Sequence, residues 1–513
     1  MKKLFTKRYL LTAALAIFSF SACDVDRLDS PPLGLIEENY FTLESQYNEV
    51  LYSAYAKMTD WFWFHAQDIS YPLFILQGDD ITETAGRFPE WETFSNLNST
   101  DGKVRYYFNA TYELIQRANV VIEKTGAADR SLFRDPSFLD TQHGEGLFIR
   151  ALANFYLYNM FGTAPLITER LNVETMHQPK SEGTQLLDQA IKDLRAAIPL
   201  LPVIWPDVNR GRATKNSANG LLLKALVFRG DYTGNAADYT AATEAYNSIT
   251  AALTADYTDN FSAATENNSE SLFEFQASQV PGGLDNVWLY NDGPWRGTEV
   301  MTSYWGFYTV AGNEARNNLP GDNWKVTEKM FNAFGTDPRV SFFTEPNRNF
   351  TKYGKVGLDV LANSGVGSLN NVRLLRYAES KLLAAEATLL SGGNKADAIE
   401  LVNEVRKRAR DWSGTAEAAD RNTAETNDAT IMQWIEDERI AELMGEVQIR
   451  WLDLKRWDAR GYKDLSTWGG GDQHFSTDLS ATFQFEYPKH LLMPLPQDEV
   501  ERNEQIIENN PGY

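Results

Sequence analysis

In this 513-residue chain, nine segments repeat their apolar residues at three- and four-residue intervals, and a stretch of about a hundred residues near the middle does not. The periodic segments run over 45–59, 105–124, 145–161, 182–198, 214–228, 237–253, 373–390, 395–409 and 430–457. In one of them Leu147, Ala151, Phe155 and Tyr158 share a helix face, while Arg150, Asn154 and Asn159 point elsewhere. Gly162-Thr163-Ala164-Pro165 then stops that helix. Small residues such as Ala378, Ala384, Ala385 and Ala387 stand among Leu374, Leu375, Leu382 and Leu383, a mixture that lets paired helices approach closely. The pattern predicts a mainly α fold, a degenerate array of helical hairpins over about 38–258 and 372–460, carrying large irregular loop-rich insertions at about 60–101 and 259–371.

The N-terminus reads differently. Lys2, Lys3, Lys7 and Arg8 precede an apolar run from Tyr9 to Phe20, followed by Ser21-Ala22-Cys23. That is the layout of a secretion signal, and its apolar run is too short to span a bilayer, which takes about 20 residues. Cys23, the single cysteine of the chain, resembles the lipidated position of a lipobox, although Phe20 stands where Leu is usual. A plain signal peptide with an incidental cysteine is the alternative. Residues 1–22 are thus expected to be a signal peptide, 23–32 a lipidated tether and 33–513 the body. The acidic run Asp24-Val25-Asp26 through Asp29 resembles an export signal to the outer leaflet of the outer membrane, or is simply a solvated linker.

With 48 Lys and Arg against 70 Asp and Glu, the formal net charge is −22. Such a surface repels phosphate backbones, so no nucleic-acid partner is expected. No run after the signal reaches membrane-helix length, which leaves the lipid as the expected membrane attachment.

A series of short motifs carries a family resemblance. Glu145-Gly146-Leu147-Phe148-Ile149-Arg150-Ala151 leads to Phe155-Tyr156-Leu157 and Phe161-Gly162, and Gly211-Arg212-Ala213-Thr214-Lys215 opens the next array helix. Asp337-Pro338-Arg339, Lys352-Tyr353, Arg376-Tyr377-Ala378-Glu379, Ala385-Glu386-Ala387 and Asn403-Glu404-Val405-Arg406 follow in order. Then come Glu438-Arg439, Glu442-Leu443, Gly445-Glu446, Arg450, Asp453-Leu454 and Arg456-Trp457, and finally Pro494-Leu495-Pro496 and Asn510-Pro511-Gly512-Tyr513. In this sequence the chain resembles the SusD/RagB family of outer-membrane glycan-capture lipoproteins over its whole length. The resemblance implies a core of four tetratricopeptide-like hairpins, a polysaccharide or oligosaccharide ligand, and a SusC-like TonB-dependent outer-membrane transporter as partner. The charges from Glu438 to Arg456 alternate at helical spacing and read as braces along one helix, with neighbouring Arg keeping the carboxylates ionised.

Catalytic equipment is sparse. His65, His143, His177, His474 and His490 show no metal-ligand spacing, and Gly365-Val366-Gly367 lacks the third glycine of a dinucleotide loop. There is no GxSxG elbow and no phosphate loop. No cofactor, no metal and no enzymatic activity are expected. A surface-attached glycan hydrolase is the enzymatic alternative.

Sugar binding asks for flat aromatic rings flanked by hydrogen-bonding side chains, because a pyranose has an apolar C–H face and a rim of hydroxyls. Two clusters qualify: Trp61, Trp63 and His65 with Arg87 and Trp91, and Trp288, Tyr290, Asn291, Asp292, Trp295 and Trp305. Trp61 and Trp63 alternate with Phe62 and Phe64, so an extended segment would bury one pair and expose the other. Asp79, after Gly78, reads as a loop-folding residue. Non-catalytic glycan capture at the cell exterior, leaning towards a neutral glucan, is the expected function. A peptide- or glycoprotein-binding lid of a similar importer is the alternative.

Overall fold

Capping residues set most of the helices. In the computed structural model, which describes residues 37–62, 75–84, 86, 88–278, 324–350, 369–468 and 482–513, the first half holds α1 (Glu37–Tyr40), α2 (Glu44–Lys57), α3 (Thr59–Phe62), α4 (Pro89–Glu92), α5 (Gly102–Ala127), α6 (Pro136–Phe161), α7 (Gln185–Ala197), α8 (Lys215–Thr233) and α9 (Ala236–Asn247). The second half holds α10 (Glu328–Phe334), α11 (Pro338–Phe343), α12 (Tyr377–Leu390), α13 (Lys395–Ser413), α14 (Asp428–Leu443) and α15 (Arg450–Ala459). Asp101 accepts hydrogen bonds from the Lys103 and Val104 amides at the start of α5, and Asp135 with Pro136 opens α6. Thr214 and Ser217 cap α8 reciprocally. The chain divides after Gln46, and Tyr47–Tyr513 form one compact unit.

Within that unit the helices pack in series: α5 on α6, α6 on α7, α7 on α8, α8 on α9, then α9 directly on α12, and α12 on α13 and α14. The fold is mainly α, as expected, and the step from α9 to α12 makes the two periodic blocks neighbours in space. Close approach is built in. A Cβ on Gly146 would stand 2.9 Å from a Val121 methyl, so only glycine lets α6 lie this near α5. Phe148, Phe155 and Leu157 of α6 are fully buried, each contributing roughly 1.5–3 kcal/mol by leaving water.

Two short ribbons complete the scaffold. β1 (Ile81–Glu83) pairs antiparallel with β3 (Trp324–Val326), and β2 (Ser271–Phe275) with β4 (Val372–Arg376). β4 corrects the expected helix start at 373: its Val372, Leu374 and Leu375 are buried in extended backbone, and the helix begins only at Tyr377. The expected helix over 430–457 is likewise two helices. The chain breaks at Met444–Ile449, where Gly445 takes a φ of 70°.

The charges read as braces along one helix instead join several elements. Glu442 of α14 receives Arg376 at 2.6 Å and Arg339 at 2.9 Å, and it also pairs with Arg408. Arg456 of α15 holds Asp231 of α8 at 2.6 Å and Glu386 of α12 at 2.7 Å. All of these side chains are buried. Burial raises the Glu442 carboxyl, but Arg408, Arg376 and Arg339 outweigh it and hold the group below its ordinary value. The family motifs follow the same logic. Glu145 of α6 clasps Arg212 at 2.5 Å and accepts the Tyr55 hydroxyl at 2.7 Å, so one motif braces the next.

Candidate functional site

The first aromatic cluster begins inside the core. α3 is a helical turn, so the in-and-out alternation of an extended segment does not arise, and Trp61 and Phe62 are both buried. Trp61 is 1% exposed, stands edge-on to Tyr156 at 5.6 Å and donates its Nε1 hydrogen to Thr111 Oγ1 at 3.2 Å. Trp91 on α4 is fully buried. Neither ring has a free face for a sugar, which corrects the expectation that both line the site: a single helical turn is too short for its sequence to mark whether an indole turns inward. Trp63, His65, Arg87, Trp288, Tyr290, Asn291, Asp292, Trp295 and Trp305, together with Cys23, lie outside the described residues.

The described residues do show where the two loop-rich regions are rooted. The Phe62 ring packs on Phe275 with centroids 5.1 Å apart. Phe62 immediately precedes Trp63, and Phe275 closes β2 shortly before residue 279. Across that ribbon Phe275 pairs with Val372, and the Ala277 amide donates to Asn371 Oδ1 at 2.8 Å, so the segments before residue 279 and after residue 368 are held side by side. A second fastening lies at the other ribbon. Ile81 faces Val326, Thr82 faces Lys325 and Glu83 faces Trp324, which sets the strand after residues 75–80 beside the strand after 279–323.

A clasp of acids tightens this second root. The Thr327 amide donates to the Asp80 carbonyl at 2.9 Å, and its hydroxyl to the Asp79 carbonyl at 2.6 Å. The Asp79 carboxylate meets Arg450 at 2.5 Å and Lys329 at 3.0 Å, the loop-folding role expected for it. Asp80 accepts the Gly445 amide at 3.0 Å. Burial pushes the Asp80 carboxyl up to about 6, opposed by that amide and reinforced by the charge of Asp79. These groups tie residues 79–80 to Thr327, Lys329, Gly445 and Arg450. Among the described residues no group of three or more His, Cys, Asp or Glu is placed to hold a metal ion.

Two open cavities on the scaffold were not anticipated. One, of about 490 Å³, is lined by Trp205, Arg210, Asn216 and Asn267; Arg212 lies 4.1 Å over the Trp205 ring. The signal was present, since Trp205 lies between Ile204 and Pro206 in a loop, the same aromatic-in-a-loop setting that drew attention to Trp288. The other, of about 780 Å³, is lined by Tyr158, Tyr232, Tyr487 and Lys455 from segments far apart in the sequence, which no local pattern reveals.

The helices pack in series, and the described segments that flank residues 63–74 and 279–323 meet at shared points on them. The chain belongs to the SusD family, whose model matches residues 230–513, with a second model, described as starch-binding associating with outer membrane, matching 39–225. Members of the family are carbohydrate-binding proteins, not enzymes. SusD-like protein P2 of Formosa agariphila is 24% identical over 547 residues, covering 99% of this chain and 100% of the relative. A SusD homolog from Bacteroides thetaiotaomicron shares the fold with a TM-score of 0.75 at 22% identity, covering 93% of this chain and 98% of that one. A laminarin binding SusD-like protein does so with a TM-score of 0.69 at 22% identity, covering 92% and 100%. No helix among the described residues is long and apolar enough to cross a membrane.

Proposed function

We propose that this protein captures a polysaccharide or oligosaccharide at the outer face of the outer membrane and delivers it to a SusC-like TonB-dependent transporter. Residues 1–22 act as the signal peptide, Cys23 carries the lipid, 23–32 form the tether and 33–513 the body. The observation that carries the reading is the Phe62–Phe275 contact at 5.1 Å, which starts both aromatic-rich regions from one patch of the scaffold. Rings held on two loops with a common root can stack on successive sugars of one chain, and the tether keeps the local concentration high. A neutral glucan is the preferred ligand: Trp-rich loops suit uncharged hexoses, the net charge of −22 disfavours polyanions, and one relative of the same fold binds laminarin.

Calorimetric titration with laminarin, a starch oligosaccharide and cellohexaose tests this reading on Trp63→Ala and Trp288→Ala proteins. Each substitution is expected to weaken binding at least about tenfold, the worth of a lost stacking contact of ~1.4 kcal/mol, without lowering the melting temperature. Trp61→Ala is expected to behave oppositely, losing about 3–5 kcal/mol of stability because it empties a core position. Glycan affinity unchanged in both loop variants would remove the proposed site.

A further inference from the structure

The cavity of about 780 Å³ draws its walls from α6, α8, α15 and the C-terminal segment, and none of its residues belongs to the loop-rich regions. Lys455, 5% exposed, is one of its lining residues. The amine donates one hydrogen bond, to the carbonyl of Asn159 in the last turn of α6, and no described carboxylate reaches it within ion-pair distance. That helix-end carbonyl satisfies one of three N–H donors. Among so many acids, an amine buried without a counter-ion is conspicuous, since such a charge is costly unless something completes its hydrogen bonds. In the same lining Tyr158 and Tyr232 meet edge-to-face at 5.3 Å, and Tyr487 is 46% exposed.

We propose that this cavity is a second saccharide site, one that takes a uronic-acid residue, with its carboxylate on the Lys455 ammonium and its ring against the tyrosines. The volume lies within the range of small-ligand sites, roughly 300–1,000 Å³. Lys180 and Lys489 line the same cavity and favour an anion, while Asp458 and Glu508 oppose it. Asp458 is already engaged by the Leu465 amide at 2.7 Å and the Tyr487 hydroxyl at 3.3 Å. The tyrosines Tyr158, Tyr232, Tyr487 and Tyr513 are all raised above their ordinary value, chiefly by burial, and stay neutral. Burial pulls the Lys455 amine down to about 7, so the empty site is only partly charged at neutral pH. A bound carboxylate favours the ammonium and raises that value again. Binding therefore takes up a proton at pH 8, and affinity falls as pH climbs above 7.

The ligand class borrows from the glycan-binding reading, but the residues are independent of it. Titration calorimetry on the wild-type protein uses galacturonic acid, galactose and acetate as probes, in two buffers of different ionisation heat at pH 8. Galacturonate is expected to bind with proton uptake, at least tenfold tighter than either galactose or acetate. Lys455→Met is expected to lose that preference, and Tyr487→Ala, at an exposed position, to weaken galacturonate binding severalfold with its melting temperature unchanged. No galacturonate binding, equal binding of galactose or acetate, or binding without proton uptake overturns the proposal; if Lys455→Met does not fold, the wild-type proton uptake and the Tyr487 variant decide it. A protein that binds galacturonate but none of the neutral glucans keeps this site and loses the loop reading, and the reverse outcome overturns this site alone.

Discussion

At Asp80 a carboxylate sits fully buried beneath the root of a loop, held by one backbone amide and pressed by the charge of Asp79. A carboxyl whose folded value is raised, here to about 6 from an ordinary 3.8, contributes stability that is whole below the unfolded value and is lost as pH rises through the folded one. Asp80→Asn keeps an oxygen for the Gly445 amide and removes the titration. Relative to wild type, the variant is expected to gain about 2 kcal/mol between pH 4.5 and 7.5, read from urea midpoints at the two values. Glu386 works in the other direction. Burial raises it, but Arg456, Arg460 and Arg439 prevail and hold it down to about 2, so its contribution is kept above an ordinary 4.5 and lost only as pH falls towards 2. Neither behaviour is written locally. The partners of Asp80 and Glu386 lie hundreds or tens of residues away, and a sequence shows charge without showing which guanidinium faces it.

Among the elements, the break between α14 and α15 decides most. Periodic apolar residues run on through 430–457, so the sequence reads as one helix. The structure turns the chain at Gly445, whose φ of 70° suits glycine and whose Cβ, if present, would stand 2.4 Å from Phe350. Gly445→Ala is expected to cost about 2–4 kcal/mol, combining left-handed strain with overpacking, as measured by chemical denaturation. The turn also aims the Gly445 amide at Asp80 and sets Arg450 on Asp79, so one glycine couples the helical array to the loop root. The helices themselves were legible because their signal is local: a residue three or four positions away is a neighbour on the same face. β4 was not, since Val372-Arg373-Leu374-Leu375-Arg376 carries apolar residues that fit either period in so short a run.

For the whole molecule, the proposed function makes a lipid on Cys23 the feature that sets where the binding surface works. Cys23→Ala is expected to move the protein from the membrane fraction to the soluble fraction after cell disruption, followed by immunoblot; a membrane-bound variant would place the attachment elsewhere. The mainly α fold and the family were determined by the sequence alone, because helical periodicity and a fixed succession of short motifs survive without knowledge of contacts. Whether an aromatic side chain faces water or core was decided only by the tertiary structure. Trp61 and Trp91 stand on short helical turns within segments whose sequence reads as loop, yet packing against α5 and α6 buries the first, and both are closed to solvent. The pairing of buried ions and the cavity around Lys455 were decided in the same way, by side chains that meet in space from segments far apart along the chain.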